Sequence, residues 1–430
     1  MTQTATTETP TTGTPLSLDD LQTLLRRLLA EPGNVPADWE PAATTYDLPR
    51  FCGEPEFLAR FHVAARQILA GADASTALFA CGQPYDYARL GTPFSTIYEL
   101  YLKTLIGAAR VVSFASRTKS FLAPLEVPGR TQPARVYCRG QLPLTDATRA
   151  LWRRRQVEFH EDWQGPLPAD DPATLTLFVT DTAPEDTPLA ELSADAVSCP
   201  LTDGGVLLIR RDDRFDAKGI QLIRKRTVAA LLAESSRAEL TRLLGLDVPE
   251  SPTASAADCD AALAESLPAV QGAAYFCTGL AAEAAVFSAA AGLVSEGAPV
   301  PLFYAENGYG GTGQLIADIL AAEGTLAARA LKVLTSGGGT FVDHVVAQLE
   351  GMPAGPAVVF VETPTNPELQ VHDFARLVAG LKQFPVRTGR QIPVLVDTTM
   401  APLYPLFEQD FASDWPFLIV KSGSKYITRG

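Results

Sequence analysis

Three short apolar runs constrain the fold of this chain more than anything else in it: Val358-Val359-Phe360-Val361, Pro393-Val394-Leu395-Val396 and Phe417-Leu418-Ile419-Val420. Each is rich in β-branched side chains and bounded by Pro, Gly or Asp, as a strand buried on both faces is. Strands of that kind belong to parallel sheets. Between the first two runs, Phe374, Leu377, Val378 and Leu381 recur at helical spacing, with Asp373 as N-cap of a helix reaching Phe384. The order is therefore strand, helix, strand, loop, strand. In open sheets of this kind ligands gather beyond the carboxyl ends of the strands.

The polar residues matter by their place in that order. Run one ends in Glu362-Thr363-Pro364-Thr365-Asn366-Pro367, run two in Asp397-Thr398-Thr399, and run three, after Lys421, in Ser422-Gly423-Ser424-Lys425-Tyr426. One Asn, one Asp and one Lys thus meet on a single rim. A sheltered Lys can lose its proton and attack a carbonyl, and a carboxylate opposite can hold a ring nitrogen protonated. Pyridoxal phosphate (PLP) requires that pair. Taken singly, a Lys after a strand is usually a solvated charge and an Asp there a turn former. The ordered set is what carries weight.

These segments resemble, in the same order, the signature segments of the Cys/Met-metabolism PLP enzymes, which include cystathionine γ-synthase, cystathionine γ-lyase, methionine γ-lyase and O-acylhomoserine sulfhydrylase. The resemblance implies PLP fold type I, aspartate-aminotransferase-like: a mainly parallel sheet with flanking helices. It implies that Lys425 is the lysine that links to PLP and Asp397 the partner of the pyridine nitrogen. Asn366 would lie near the phenolic oxygen, Thr399 near the ring, and Ser422 and Ser424 near the phosphate.

Upstream, Thr278-Gly279-Leu280-Ala281-Ala282 opens an Ala-rich helix to Gly292 after a short strand, Ala273 to Cys277. A helix N-terminus favours phosphate, and the resemblance puts Gly279 and Leu280 at the family's phosphate loop, although a strand-Gly-helix junction alone is more often a turn. Val300 to Tyr304 reads as a further strand, followed by Gly308-Tyr309-Gly310-Gly311-Thr312-Gly313. Those glycines satisfy G-x-G-x-x-G, but a dinucleotide site needs an acidic residue closing the next strand. The next strand-like run, Leu331 to Thr335, ends in Ser336 and the loop Gly337 to Gly339 instead, before a helix from Phe341. The Tyr-Gly-Gly-Thr string resembles the family's segment in which Tyr309 stacks on the PLP ring and moves protons. Tyr85 to Glu99 alone is a turn leading into a helix. It resembles the family's Tyr-x-Arg arm, which implies that Tyr87 and Arg89 reach a neighbouring subunit's phosphate site, with Thr92 and Phe94 replacing the usual Asn and Thr.

The rest bounds the organisation. A chain of 430 residues exceeds one ordinary core. Its net charge of −14 argues against nucleic acid, and 47% hydrophobic with 20% charged residues is a globular composition. The six cysteines are scattered and the four His isolated (His62, His344 and His372 among them), so no metal site is expected and the thiols read as reduced, in a cytoplasm. No signal peptide or membrane span is expected. The expected parts are a disordered leader (1–15), N-terminal helices and the phosphate-binding arm (16–110), a mixed α/β inserted domain of unknown role (111–264), and an incomplete PLP-binding domain (265–430). A helix opens at Ser17 with Leu21, Leu24, Leu25 and Leu28 as its face, and another covers about 54 to 70. The inserted stretch holds strand-like runs (Leu175 to Val179, Val206 to Ile209), a basic cluster at Arg153-Arg154-Arg155 and an amphipathic stretch from Gly219 to Leu244.

The chemistry implied is elimination or replacement at Cβ or Cγ of an amino acid in trans-sulfuration, with Lys425 as the base at Cα and the chain in a homo-oligomer, dimer or tetramer. The sequence ends at Gly430, before the family's C-terminal domain, which is expected to be absent. The alternative reading is a non-catalytic or half-site subunit that needs another chain for activity.

Overall fold

The computed structural model describes residues 15–31, 33–40, 50–248, 255–268, 270, 272–276, 278–294, 299–323, 326–331, 340–352, 355–384 and 392–423. It consists of two compact units, one up to Glu250 and the other Ser251–Arg429.

In the first unit, Ser17 accepts a hydrogen bond from the backbone N–H of Asp20 and opens the helix Leu18–Ala30, whose Leu21, Leu24, Leu25 and Leu28 are all buried. That face packs with Trp39, with Phe57 and Phe61 of helix Glu54–Leu69, and with Tyr98 of helix Pro93–Ile106 in one core. Six strands follow: β1 (Arg110–Phe114), β2 (Ala134–Cys138), β3 (Val157–His160), β4 (Leu175–Val179), β5 (Ala196–Leu201) and β6 (Gly204–Ile209). Their order is β1-β6-β5-β4-β2-β3. Only β6 runs against its neighbours β1 and β5; the other pairings are parallel. The second face of the sheet buries Phe121 of helix Arg117–Glu126 and Ile220 of helix Ala217–Thr227. The amphipathic stretch resolves into that last helix and Ala233–Leu243.

The expected boundary near residue 110 is crossed by a buried ionic knot. Glu99 accepts from the backbone N–H (2.8 Å) and hydroxyl (2.7 Å) of Ser113 on β1 and from Arg224 Nη1 (2.5 Å), while Arg224 also donates to the Ser113 carbonyl (3.1 Å). Arg224 is 1% exposed, so neither charge has water to fall back on. The segments 16–110 and 111–248 therefore share one unit. The other boundary also lies earlier than 264, because helix Ala256–Ser266 groups with the second unit.

The second unit is a five-stranded sheet of β7 (Val300–Ala305), β8 (Leu326–Leu331), β9 (Val358–Glu362), β10 (Val394–Asp397) and β11 (Phe417–Val420), ordered β11-β10-β9-β7-β8 and parallel throughout. Helices Phe341–Glu350 and Phe374–Gln383 bury one face, and Gly279–Val294 and Gly310–Glu323 the other. Asp373 caps its helix by accepting from the N–H of Arg376. This is the mainly parallel sheet with flanking helices that the three apolar runs predict.

One expected strand differs. Residues 272–276 form no strand: Tyr275 and Phe276 are exposed, and the Tyr275 hydroxyl donates to Asp260 instead (2.7 Å). Cys277 lies outside the described residues. Of the strand expected at Leu331 to Thr335 only Leu331 is described; it ends the strand Leu326–Leu331, which pairs with β7 residue for residue from Val300↔Leu326 to Ala305↔Leu331. Helix Gly310–Glu323 delivers the chain to that register within two residues. Residues 332–339, with the glycine triplet, lie outside the described residues, as does the leader through residue 14.

Among the described residues the five cysteines are free, no group of His, Cys, Asp or Glu could hold a metal ion, and no helix is long and apolar enough to cross a membrane.

Removing one member of the ionic knot strands the other charge. R224M should lower stability by about 3–5 kcal/mol in urea unfolding of the full chain, and E99L/R224M should recover part of that loss. A double variant less stable than R224M contradicts the pair.

Candidate functional site

Parallel register fixes the rim. Asp397, the last residue of β10, lies opposite Glu362 of β9 and Val420 of β11. The turn after each strand is then sewn to its neighbour: Thr363 N–H donates to the Asp397 carbonyl (2.9 Å), Thr398 N–H to the Val420 carbonyl (3.1 Å), and Ser422 N–H to Thr399 Oγ1 (2.8 Å). The Asp397 carboxylate accepts from Thr399 N–H at 2.7 Å and is 6% exposed. Burial raises its pKa, against hydrogen bonds from Thr399 that lower it.

Tyr309 follows the carboxyl end of β7. Its N–H donates to Glu362 Oε2 at 2.6 Å, and its carbonyl accepts from Thr312 and Gly313 as helix Gly310–Glu323 begins. Glu362 Oε1 accepts from the N–H of Asn366 (2.9 Å), so one carboxyl sets both the Tyr309 and the Asn366 turns. Gly279 opens helix Gly279–Val294 behind Thr278, whose hydroxyl accepts from Ala281 N–H (3.0 Å). A Cβ on Gly279 would fall 2.9 Å from Ser422 Cβ, so only glycine lets this helix start so close to the end of β11. Leu280 is buried beside it.

Of the predicted residues, Asp397, Asn366, Thr399, Ser422, Gly279, Leu280 and Tyr309 therefore belong to the carboxyl-end turns of one sheet and the helices beginning there. Tyr87 and Arg89 belong to the first unit, where the Arg89 guanidinium lies 6.0 Å and Lys225 Nζ 5.3 Å from the Tyr87 ring. Thr92 caps helix Pro93–Ile106 in a capping box with Ser95, and Phe94 is in the core. Lys425 and Ser424 lie outside the described residues. The preceding Lys421 donates to the Pro402 carbonyl, and burial lowers its pKa.

Two carboxyls escaped the sequence reading. Glu283 is 3% exposed and accepts from the Thr312 hydroxyl at 2.8 Å. Desolvation first, then the negative charges of Asp397 and Glu362, raise its pKa well above the carboxylate range. Desolvation, with Asp397 as a further cause, pushes Glu362 up to about 7. A signal for Glu283 was present: it is the one charged residue in the stretch Gly279 to Val294.

The rim fits a flat cationic heterocycle with an anionic tail. Asp397 is a desolvated carboxylate whose charge a ring N–H would offset. Thr398 Oγ1 beside it is buried without a hydrogen-bond partner among the described residues. Thr278, Gly279 and Ser422 bring a helix N-terminus and a hydroxyl together for an anion.

A carboxyl with a raised folded-state pKa binds its proton more tightly folded than unfolded, so stability falls as pH climbs from its ordinary value to its folded one. For Glu362 that window runs from 4.5 to about 7, a loss on the order of 3 kcal/mol. E283Q removes a second such group while the Thr312 hydroxyl can still pair with the amide. In thermal unfolding of the cofactor-free chain, E283Q should melt above wild type at about pH 8, with the gap closing towards about pH 5. A gap that widens on acidification would refute the buried charge.

Residues 252–429 match the family model described as Cys/Met metabolism PLP-dependent enzyme. No curated protein sequence matches the chain. Similar solved structures include a cystathionine γ-lyase from Micromonospora echinospora (20% identity, TM-score 0.29, covering 37% of this chain and 54% of that one). MetB from Corynebacterium glutamicum is similar at 15% identity and TM-score 0.29, over 37% of this chain and 54% of its own. An O-acetylhomoserine (thiol)-lyase from Campylobacter jejuni, holding N'-pyridoxyl-lysine-5'-monophosphate, is similar at 15% identity and TM-score 0.27, over 37% and 58%. The chain thus spans little more than half the length of these proteins, and likeness so slight carries no argument about the reaction. The family match spans residues 252–429, less than half of the chain, and takes in the whole rim.

Proposed function

We propose that the chain is a PLP-dependent lyase or transferase of sulfur amino-acid metabolism, acting by elimination or replacement at Cβ or Cγ as cystathionine γ-lyase and γ-synthase do. The observation that carries this is the buried Asp397, placed in register with Glu362 on the rim of a segment that matches the family. PLP, when bound, supplies an electron sink for the pair left behind as the Cα proton departs.

The chain's own residues then have separate tasks. Lys425 would carry the cofactor and, once released, take the Cα proton at its Nζ; a lysine amine does this near neutral pH only when its surroundings depress its pKa. Asp397 would hold the proton on the pyridine nitrogen, its negative charge fixed by the Thr399 N–H. Asn366 would face the phenolic oxygen and Thr399 the ring. Gly279, Leu280, Ser422 and Ser424 would hold the phosphate. Tyr309 would stack on the ring and pass protons through its hydroxyl, its backbone held by Glu362. In this reading Tyr87 and Arg89 complete the phosphate site of a neighbouring subunit in a cytoplasmic homo-oligomer, and the substrate is a small amino acid.

Purified protein should absorb in the visible, and borohydride followed by peptide mapping should place one fixed PLP on Lys425. K425A should lose the colour and the label. D397N should retain bound PLP but lose activity by about a hundredfold or more, the scale of one removed charge-stabilising group. A K425A protein that stays yellow, labelled elsewhere, would refute the reading.

A further inference from the structure

The first unit contains a cleft of about 540 Å³ that none of the chemistry above uses. Its position follows from the topology. Because β6 is antiparallel to both β1 and β5, the strands β1, β5, β4, β2 and β3 all point the same way and share one carboxyl edge. From β2 the chain moves outward to β3; from β4 it moves to β5 on the opposite side. The reversal lies between β2 and β4. In an open α/β sheet, diverging connections leave a crevice at such a point, and small ligands bind there.

The cleft is lined by the residues that directly follow those two strands, Arg139 after β2 and Thr180 and Asp181 after β4. Ser198 of β5 stands level with Val179, the last residue of β4. Its hydroxyl lies 2.6 Å from that of Ser120, both side chains being buried. Ser120 and Arg117 come from the first turn of helix Arg117–Glu126, which starts at the same edge after β1. Arg117 is steadied by a hydrogen bond from its Nε to the Leu201 carbonyl (3.2 Å). The Arg139 guanidinium lies 5.8 Å from the Phe178 ring and is exposed. Close packing sets this arrangement: a Cβ on Gly205 would fall 2.6 Å from Ser120 Oγ and 3.1 Å from Arg117 Cα, and one on Gly204 would strike the Phe114 carbonyl.

The lining is cationic in a chain of net charge −14: two guanidinium groups against one carboxylate. Guanidinium forks match the oxygens of a phosphate in pairs, and a helix start adds its partial positive charge. We propose that this cleft is a second ligand site, separate from the rim of the parallel five-stranded sheet, and that it takes a small phosphorylated metabolite whose phosphate lies between Arg117 and Arg139. The volume admits an organic body of ordinary metabolite size beyond the phosphate.

Hydrogen–deuterium exchange of the full chain tests this with inorganic phosphate as the probe. Peptides covering 138–143 and 179–183 should exchange about tenfold more slowly once phosphate exceeds its Kd about tenfold. The protection should disappear in R139A, whose exposed side chain makes the variant safe for folding, and it should persist in S422A, which changes only the second unit. Wild-type protection that survives in R139A would mean an adventitious ion only and would overturn the site. Protection by succinate at equal ionic strength, with none by phosphate, would overturn the ligand class. No protection by either would overturn the proposal outright.

Discussion

In-register parallel pairing is the constraint on which the second unit depends. Parallel strands end on one edge, so whatever polar residue closes each strand is delivered to the same line. Val394↔Val359 and Val394↔Phe417 set the level at one end of β10, and three residues later that level carries Glu362, Asp397 and Val420. Slipping β10 by one residue would turn its alternate side chains to the other face. Asp397 would then leave the rim, although no residue had changed. Val358, Leu395 and Phe360 on one side, and Val359, Val394 and Val396 on the other, hold that register by burial in two separate cores.

The cost of the arrangement is electrostatic. Three carboxyls, Glu283, Glu362 and Asp397, are buried where each disfavours the charge of another. A site built for stability alone would not gather them. Their partners are specific: a hydroxyl for Glu283, two backbone N–H groups for Glu362, one N–H for Asp397. Polar concentration of this kind, inside a fold otherwise apolar on both faces, marks a place where structure yields to chemistry.

Much of this was legible in the sequence. The three apolar runs and the Asp373 helix were readable because buried parallel strands need continuous apolar residues and helices need a cap, both local rules. The turn residues Asn366, Asp397 and Thr399 could be placed because they directly follow those runs. What could not be read depended on contacts distant in the chain. Glu283 is one acidic residue in an alanine-rich helix until the hydroxyl of Thr312, twenty-nine positions on, donates to it. Residues 272–276 read as a strand in the sequence and pair with no strand among the described residues. The division of the chain was hidden for the same reason, because Arg224 meets Glu99 across 125 positions.

The Gly204-Gly205 pair has a further consequence. Turns between antiparallel strands at a protein surface ordinarily absorb sequence drift, and this one, Thr202-Asp203, sits where change is usually harmless. Yet the two positions after it are pinned from opposite sides, by the Phe114 carbonyl and by the first turn of helix Arg117–Glu126. In a saturation library these two adjacent sites should behave like core positions, intolerant of even alanine, while the two residues before them accept most replacements. A short hairpin thus records, in its tolerance to mutation, how closely one helix must approach the sheet.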